Sequence, residues 1–195
     1  MNSLFLVFAV LAGVVLYVIS LYNLFQTLKT RIKASIQEIG NQLKRQSSLI
    51  PNLEASVKAS FSHETGIFKL LSEARASSAK AVRSGSLADS EVAIDQIQKL
   101  VPAMNVLVES NPQMQAQASL TQFMNELRDT SDKLMYSRRI LIDLSQEYNM
   151  KRMTFPSNLV AQVFGFGEEK GLAGMESGSH LEVTQKDTED VKVSL

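Results

Sequence analysis

The sequence of 195 residues contains no cysteine. Without thiols the chain cannot build a disulfide scaffold, a thiolate zinc site or an iron–sulfur cluster, and it cannot use a cysteine nucleophile. Tryptophan is also absent, and proline and glycine are scarce, with 4 and 9 residues, which suits long helices better than a turn-rich sheet. Basic and acidic residues both number 20, so the charge balance predicts no nucleic-acid partner.

Catalytic templates are incomplete in this sequence. His63-Glu64 begins the HExxH pattern of zinc proteases, but Ile67 stands where the second histidine is required. We expect His63 and Glu64 to make polar contacts at the surface or at a loop edge, with a pH-sensing histidine as the alternative. The glycines of residues 165–167 lack the strand and helix of a dinucleotide loop, and no Walker lysine motif occurs. The sequence therefore predicts no catalytic residue, no metal site, no cofactor and no enzyme.

A long apolar run without charges begins the chain. Residues 4–21 are interrupted only by Gly13 and Ser20, and no charged side chain occurs before Lys29. As a helix these 18 residues would cover roughly 27 Å, close to a hydrocarbon core of about 30 Å. A cleaved signal peptide would need a positively charged start and a small-x-small cleavage site, and the sequence supplies neither. We predict a transmembrane anchor over residues 1–21.

Basic residues dominate the stretch that follows this run. Against the single acid Glu38 stand Lys29, Arg31, Lys33, Lys44 and Arg45. Positive charge favours the cytoplasmic side of a membrane. We therefore expect a single-pass protein of the inner, cytoplasmic membrane or of an organelle membrane derived from it, with residue 1 outside and the rest in the cytoplasm.

Helical periodicity continues beyond the apolar run. From Phe25 to Ile50 apolar residues recur every three or four positions, so the anchor helix should continue as a rod. Pro51 lacks an N–H donor and restricts the residue before it, and we therefore expect the chain to reverse there. A second helix should start near Leu53 and give way to a loop in the small polar run 77–86.

Two further helical segments complete the pattern. A third helix is predicted over residues 87–108, where Pro102 should kink or divide it. The longest segment, residues 113–150, repeats large apolar residues at intervals of seven, whereas its second seam is of mixed polarity. The repeated residues are Leu120, Leu127, Leu134, Leu141 and Tyr148. A mixed seam favours a helix packed against several neighbours over a two-stranded zipper.

The predicted fold class is all-α. An N-terminal transmembrane helix should continue into an antiparallel bundle of about four long helices that spans residues 22–167. Residues 168–195 carry seven acids against three lysines, a composition typical of a solvated, disordered tail.

Several blocks distributed along the chain resemble the LemA family of bacterial membrane-anchored helical proteins. They include Tyr22-Asn23, Gln42-Leu43-Lys44-Arg45, Leu49-Ile50-Pro51-Asn52-Leu53, His63-Glu64, Ala74-Arg75, Tyr136-Ser137-Arg138-Arg139, Tyr148-Asn149, and Phe155 to Ala161 with Phe164-Gly165-Phe166. The resemblance implies a helical bundle that faces the cytoplasm on one N-terminal span, without an established enzymatic activity. The magnetosome-membrane protein MamQ is similar to this family too. Departures from the family pattern occur at Gly40, Gln46 and Leu141, and in the acidic ending.

An arginine pair in the last long segment is the first candidate site. Arg138 can fall on the mixed seam, and a buried arginine requires an acidic partner. We predict that Arg138 and Arg139 form a structural ion pair with Glu64 or Glu73 of the second helix. The alternative is a contact with a protein partner or a lipid phosphate, because a guanidinium fits carboxylate and phosphate equally.

The second candidate site is the segment 155–166, which follows the basic pair Lys151 and Arg152. In an up-down-up-down bundle the fourth helix returns toward the membrane, so this segment should arrive near the lipid headgroups. The candidate contacts are Lys151, Arg152, Phe155, Leu159, Phe164 and Phe166. The alternative is that the apolar side chains fold back and cap the bundle core.

Together these features predict a non-enzymatic scaffold or adaptor on the cytoplasmic face of the membrane, in its most specific form one that organises or remodels the membrane. Its expected partners are membrane lipid and other proteins, including a second copy of itself. The alternatives are a membrane-anchored partner of a sensor kinase or protease in envelope signalling, and a membrane-bound enzyme.

Overall fold

The computed structural model describes residues 2–60 and 65–172, and in these ranges it contains helices and no strand. In chain order they are α1 (Asn2–Ser60), α2 (Thr65–Ser84), α3 (Leu87–Ser110), the short α4 (Pro112–Gln115), α5 (Ala118–Met153) and the short α6 (Ser157–Val163). The prediction of an all-α fold, in which an apolar N-terminal helix continues into a bundle of four long helices, is confirmed. His63, Glu64 and residues 173–195 lie outside the described residues.

Helix α1 is 59 residues long, about 89 Å at the usual rise per residue. Its first part, residues 3–17, is exposed throughout, whereas its second part, from Phe25 onward, contributes buried side chains to the core of the bundle. In the part of the chain that the structure describes, α1 is the one helix long and apolar enough to cross a membrane. The candidate anchor and the bundle therefore share one continuous helix.

The predicted chain reversal at Pro51 is wrong, because α1 continues through this residue to Ser60. A proline inside a helix costs about 3 kcal/mol. On either side of it Ile50 and Leu53 are fully buried, and each such side chain contributes about 1.5–3 kcal/mol on burial. Tertiary packing thus outweighs the local penalty. In the same way Pro102 lies inside α3 and does not divide it.

The loop predicted in the small polar run before residue 87 is much shorter than expected. Helix α2 continues to Ser84, and only Gly85, at φ +62°, and Ser86 connect it to α3. Across this turn Lys80 Nζ lies 2.7 Å from Asp89 Oδ1. Side-chain hydrogen bonds from Lys80, which has the larger effect, and from Ser84 hold the pKa of the Asp89 carboxyl below its usual value.

Two hydrophobic clusters fill the bundle. A proximal cluster surrounds Phe25 and Tyr148, nearer to the apolar part of α1, and a distal cluster surrounds Leu53 and Leu120. The residues predicted from the seven-residue repeat of α5 are all fully buried, which confirms them as core: Leu120, Leu127, Leu134, Leu141 and Tyr148.

A buried polar contact lies between the two clusters. Gln46 of α1 donates from Nε2 to Thr130 Oγ1 of α5 at 2.6 Å and to the carbonyl oxygen of Leu127 at 3.3 Å. Thr130 in turn donates to the carbonyl oxygen of Glu126 at 2.7 Å. Both Gln46 and Thr130 are fully buried. Because Gln46 pairs with Thr130 whereas Phe25 contacts Tyr148, α1 and α5 run antiparallel.

Candidate functional site at the end of the apolar helix

Helix α6 crosses the end of α5 after a turn of three residues, and a serine fixes its start. Ser157 Oγ donates to the carbonyl oxygens of Lys151 at 2.6 Å and Thr154 at 2.9 Å. The last carbonyl groups of a helix lack partners within that helix, and Ser157 supplies one for the end of α5. A nearly buried serine therefore holds α6 against the bundle.

A glycine turn ends α6 and directs the chain inward. Gly165 has φ +68°, its N–H donates to the carbonyl oxygen of Gln162 at 3.3 Å, and the N–H of Phe166 donates to that of Ala161 at 2.9 Å. This pair of bonds defines a Schellman motif, in which glycine takes the left-handed position because it has no Cβ. The motif turns Phe166 into the bundle.

Five rings form an aromatic cluster at this end of the bundle. The ring of Phe166 stacks on Phe25 with 4.8 Å between centroids and also lies 5.6 Å from Tyr22. Phe25 meets Tyr148 edge to face at 5.5 Å, and Tyr22 meets Phe164 at 5.1 Å. Ring pairs with such geometry contribute about 0.5–1.5 kcal/mol beyond their buried area. The cluster joins α1 and α5 to the segment that follows α6.

The hydroxyl of Tyr148 links the cluster to the chain beyond α6. It donates to the carbonyl oxygen of Gly167 at 3.0 Å. Burial raises the pKa of Tyr148 above its usual value, and the carboxylate of Glu169 acts in the same direction, against the opposing charge of Arg152. The neutral phenol is therefore the form that the fold favours.

Residues 166–172 form a C-terminal strap that runs back over the bundle. The side chain of Asn149 donates to the carbonyl oxygen of Glu169 at 2.8 Å and accepts from its N–H at 3.2 Å. The carboxylate of Glu169 lies 3.3 Å from Lys29 Nζ, and Leu172 is buried in the proximal cluster. The packed part of the chain thus extends beyond residue 167, where the bundle was predicted to end.

Helix α6 has a buried side and an exposed side. Val160, Ala161 and Phe166 belong to the buried set, with exposed fractions of 7, 2 and 7%. We call the exposed set the outer face; it comprises Phe155 at 75%, Leu159 at 52%, Val163 at 80% and Phe164 at 50%. The two alternatives predicted for this segment therefore apply to different residues, because Phe166 caps the core whereas Phe155, Leu159 and Phe164 remain available for a contact.

Three cations near the outer face each have an acidic neighbour. The pairs are Lys29–Glu169 at 3.3 Å, Lys151–Glu147 at 4.0 Å and Arg152–Glu168 at 3.8 Å. Exposed pairs of this kind contribute only about 0–1 kcal/mol to stability. Their effect on the site is to compensate the basic pair that the sequence suggested for contact with anionic lipid.

The arginine pair is placed differently from the prediction. Arg138 Nη2 lies 3.7 Å from Glu91 Oε1 of α3, and both side chains are largely buried. Glu73 instead forms an ion pair within α2, and Arg139 forms one within α5. The physical reason is the helix order, since the main neighbours of α5 are α1 and α3, and α2 is not one of them. Glu64 lies outside the described residues.

A shallow groove of about 340 Å³ lies between α1 and α5, far from the outer face. Lys44, Arg45, Asn52, Phe123 and Glu126 belong to its lining. Arg45 Nη2 lies 3.4 Å from Glu126 Oε1. Across the described ranges no three His, Asp or Glu side chains converge in a way that could hold a metal ion.

Comparison with known proteins gives a family. A model of the LemA family matches residues 35–194, a range that begins beyond the apolar part of α1 and includes most of the bundle, the outer face and the strap. No curated protein matches the chain.

Proposed function

The chain belongs to the LemA family, and from this membership and the structure we propose that it is a non-enzymatic scaffold or adaptor. The apolar part of α1 anchors it in a membrane, and the bundle lies on the cytoplasmic face. The observation that carries the proposal is the continuity of α1, in which an exposed apolar stretch passes into the bundle core without a break.

A continuous helix gives the anchor a mechanical role. The part of α1 beyond residue 21 contains 39 of its 59 residues and extends about 58 Å from the end of the apolar run. Its packing against α2, α3 and α5 makes this length one rigid body with the bundle. Such a protein holds whatever binds it at a fixed distance from the membrane.

The polar side chains support binding rather than catalysis. Within the described ranges three charged side chains line the α1–α5 groove, and two of them, Arg45 and Glu126, form an ion pair at the surface. A catalytic pocket normally encloses its substrate and directs several polar groups at one point. This groove is shallow, and the proposal therefore assigns no reaction to the protein.

Orientation is tested with single cysteines, because the native chain has none. Ser3 and Ser84 are both exposed, and the proposed topology puts them on opposite sides of the membrane. In intact cells a membrane-impermeant maleimide should label Ser3→Cys and leave Ser84→Cys unlabelled until the cells are permeabilised. The reverse pattern would contradict the cytoplasmic placement of the bundle.

The scaffold role is tested by copurification from mildly crosslinked native membranes. The comparison protein carries the same apolar helix, residues 2–24, fused to an unrelated soluble domain. We expect the full chain to recover defined proteins, or further copies of itself, that the fusion does not recover. Recovery of the same proteins with both chains contradicts a scaffold role for the bundle, and recovery of one kinase or protease identifies the adaptor form.

A further inference from the structure

The outer face of α6 lies beside the end of the apolar part of α1. We propose that the outer face inserts into the interfacial layer of the same bilayer that α1 spans, so that the protein touches the membrane at two points. This inference rests on the proposed anchorage, and it assigns lipid, not a second protein, as the occupant of the face.

The depth of the face follows from the aromatic cluster. Residues 4–21 cover about 27 Å of a hydrocarbon core of about 30 Å, so Tyr22 lies at the edge of the core. The ring of Phe164 is 5.1 Å from that of Tyr22. An interfacial segment buries its apolar side about 5–10 Å into the boundary between headgroups and acyl chains. Phe164 therefore lies within reach of this boundary.

The composition of the face fits this environment. Leu159 and Val163 are one turn apart on α6, Phe164 follows them, and all three are at least half exposed. The opposite side of α6 is occupied by the bundle through Val160 and Ala161. Leu159, Val163 and Phe164 are therefore apolar side chains that the packing of the bundle core does not bury.

Continuity with the span favours lipid over a protein partner. The side chain of Phe164 contacts Tyr22, which directly follows the exposed apolar run of α1. A protein that covered the outer face would have to approach at the depth of the lipid headgroups. The bilayer already occupies that position if α1 is the anchor.

Charge compensation adds a specific property. Lys29, Lys151 and Arg152 each lie within 4.0 Å of a carboxylate oxygen. Three positive and three negative charges at such separations largely cancel beyond a Debye length of about 8 Å. Insertion should therefore depend on apolar contact and proceed equally well in zwitterionic bilayers, unlike the binding of a polybasic segment.

The absence of tryptophan permits a direct test with single fluorophores in the full chain. The protein is reconstituted into nanodiscs of phosphatidylcholine whose acyl chains are brominated near the headgroup. Bromine quenches tryptophan fluorescence only at short range. Val163→Trp reports on the outer face. Val106→Trp is the matched control, because Val106 is also an exposed valine, at 66%, but belongs to α3. Tyr17→Trp reports on the anchor itself.

We expect brominated lipid to quench the Val163→Trp emission to nearly the same extent as the Tyr17→Trp emission, and to leave the Val106→Trp emission unchanged. Adding phosphatidylglycerol should not increase the quenching. Quenching of Tyr17→Trp without quenching of Val163→Trp overturns this inference and leaves the anchorage intact, whereas failure of both overturns the proposed anchorage.

Two other results would also overturn the proposal. A blue-shifted but unquenched Val163→Trp whose shift grows with protein density would show that a second copy covers the face. Quenching of Val163→Trp that appears only with phosphatidylglycerol would show that the cations, and not the apolar residues, make the contact.

Discussion

Truncation of Phe166 provides the most direct test of how the segment after α6 is held. The side chain is 7% exposed, stacks on Phe25 at 4.8 Å and contacts Tyr22 at 5.6 Å. Replacement of a buried phenylalanine by alanine costs about 3–5 kcal/mol. In a protein of this size each kcal/mol lowers the melting temperature by about 2–4 °C, so Phe166→Ala should lower it by about 6–20 °C.

The assay is thermal unfolding of the full chain in detergent micelles, followed by circular dichroism at the helical band. Phe155→Ala is the matched control, because the same side chain is removed at a position that is 75% exposed and belongs to the same segment. Its effect should stay within about 0.5 kcal/mol. Equal effects of the two substitutions, in either direction, would refute the division of this segment into a buried and an exposed side.

Three further substitutions test other contacts by the same unfolding assay. Gly165→Ala should destabilise by about 1–2 kcal/mol because of its left-handed φ, whereas Gly40→Ala, inside α1 and equally free of neighbours, should stabilise by about 0.5–1 kcal/mol. Thr130→Val leaves Gln46 Nε2 with only its 3.3 Å bond and should cost about 1–3 kcal/mol. Burial raises the pKa of Tyr148 above 10.0. The stability that the buried neutral phenol contributes is therefore complete below pH 10 and is lost as the pH rises above 10. Tyr148→Phe should abolish this loss of stability at alkaline pH.

Each of these predictions has a contradicting outcome. If Gly165→Ala and Gly40→Ala shift the melting temperature in the same direction, the Schellman turn at Gly165 is contradicted. An unchanged melting temperature for Thr130→Val would mean that its hydroxyl contributes nothing to the buried contact. Alkaline unfolding curves that coincide for the native chain and Tyr148→Phe would contradict the raised pKa.

The sequence predicted the helices well where periodicity and burial agree. The seven-residue spacing in α5 identified five core residues, all of which are fully buried. The failure at Pro51 has a physical cause, because the rule that proline ends a helix describes local hydrogen bonding only. The burial of Ile50 and Leu53 depends on helices distant in sequence, and local pattern cannot weigh it.

The sequence predicted where the candidate site lies in the chain, but not which of its apolar side chains are buried and which are exposed. Phe155, Phe164 and Phe166 were predicted together because each is a large apolar residue in one short segment. The separation of Phe164 from Phe166 depends on the turn at Gly165, which places the residues before and after it on opposite sides. A glycine directly before Phe166 was the available signal for such a turn, since glycine commonly occupies the left-handed position after a helix.

The partner of Arg138 could have been derived with one more step. In an up-down-up-down bundle of four helices the fourth contacts the first and the third, and the second lies diagonally across the core. An acid on the third helix was therefore the better partner than Glu73. The structure has Glu91 in that position.

The two proposed membrane contacts together determine how the bundle is presented. A single helical anchor leaves the bundle free to tilt against the plane of the membrane. The outer face lies to one side of α1, on a segment held by α1 and α5, so its insertion would restrict this tilt and hold that side of the bundle against the membrane. Helix α2 begins and α3 ends beside the distal cluster, through Ile67 and Leu107, so these ends of the two helices are directed away from the lipid. Surfaces on these two helices are then the ones that a scaffold can offer to partners in the cytoplasm.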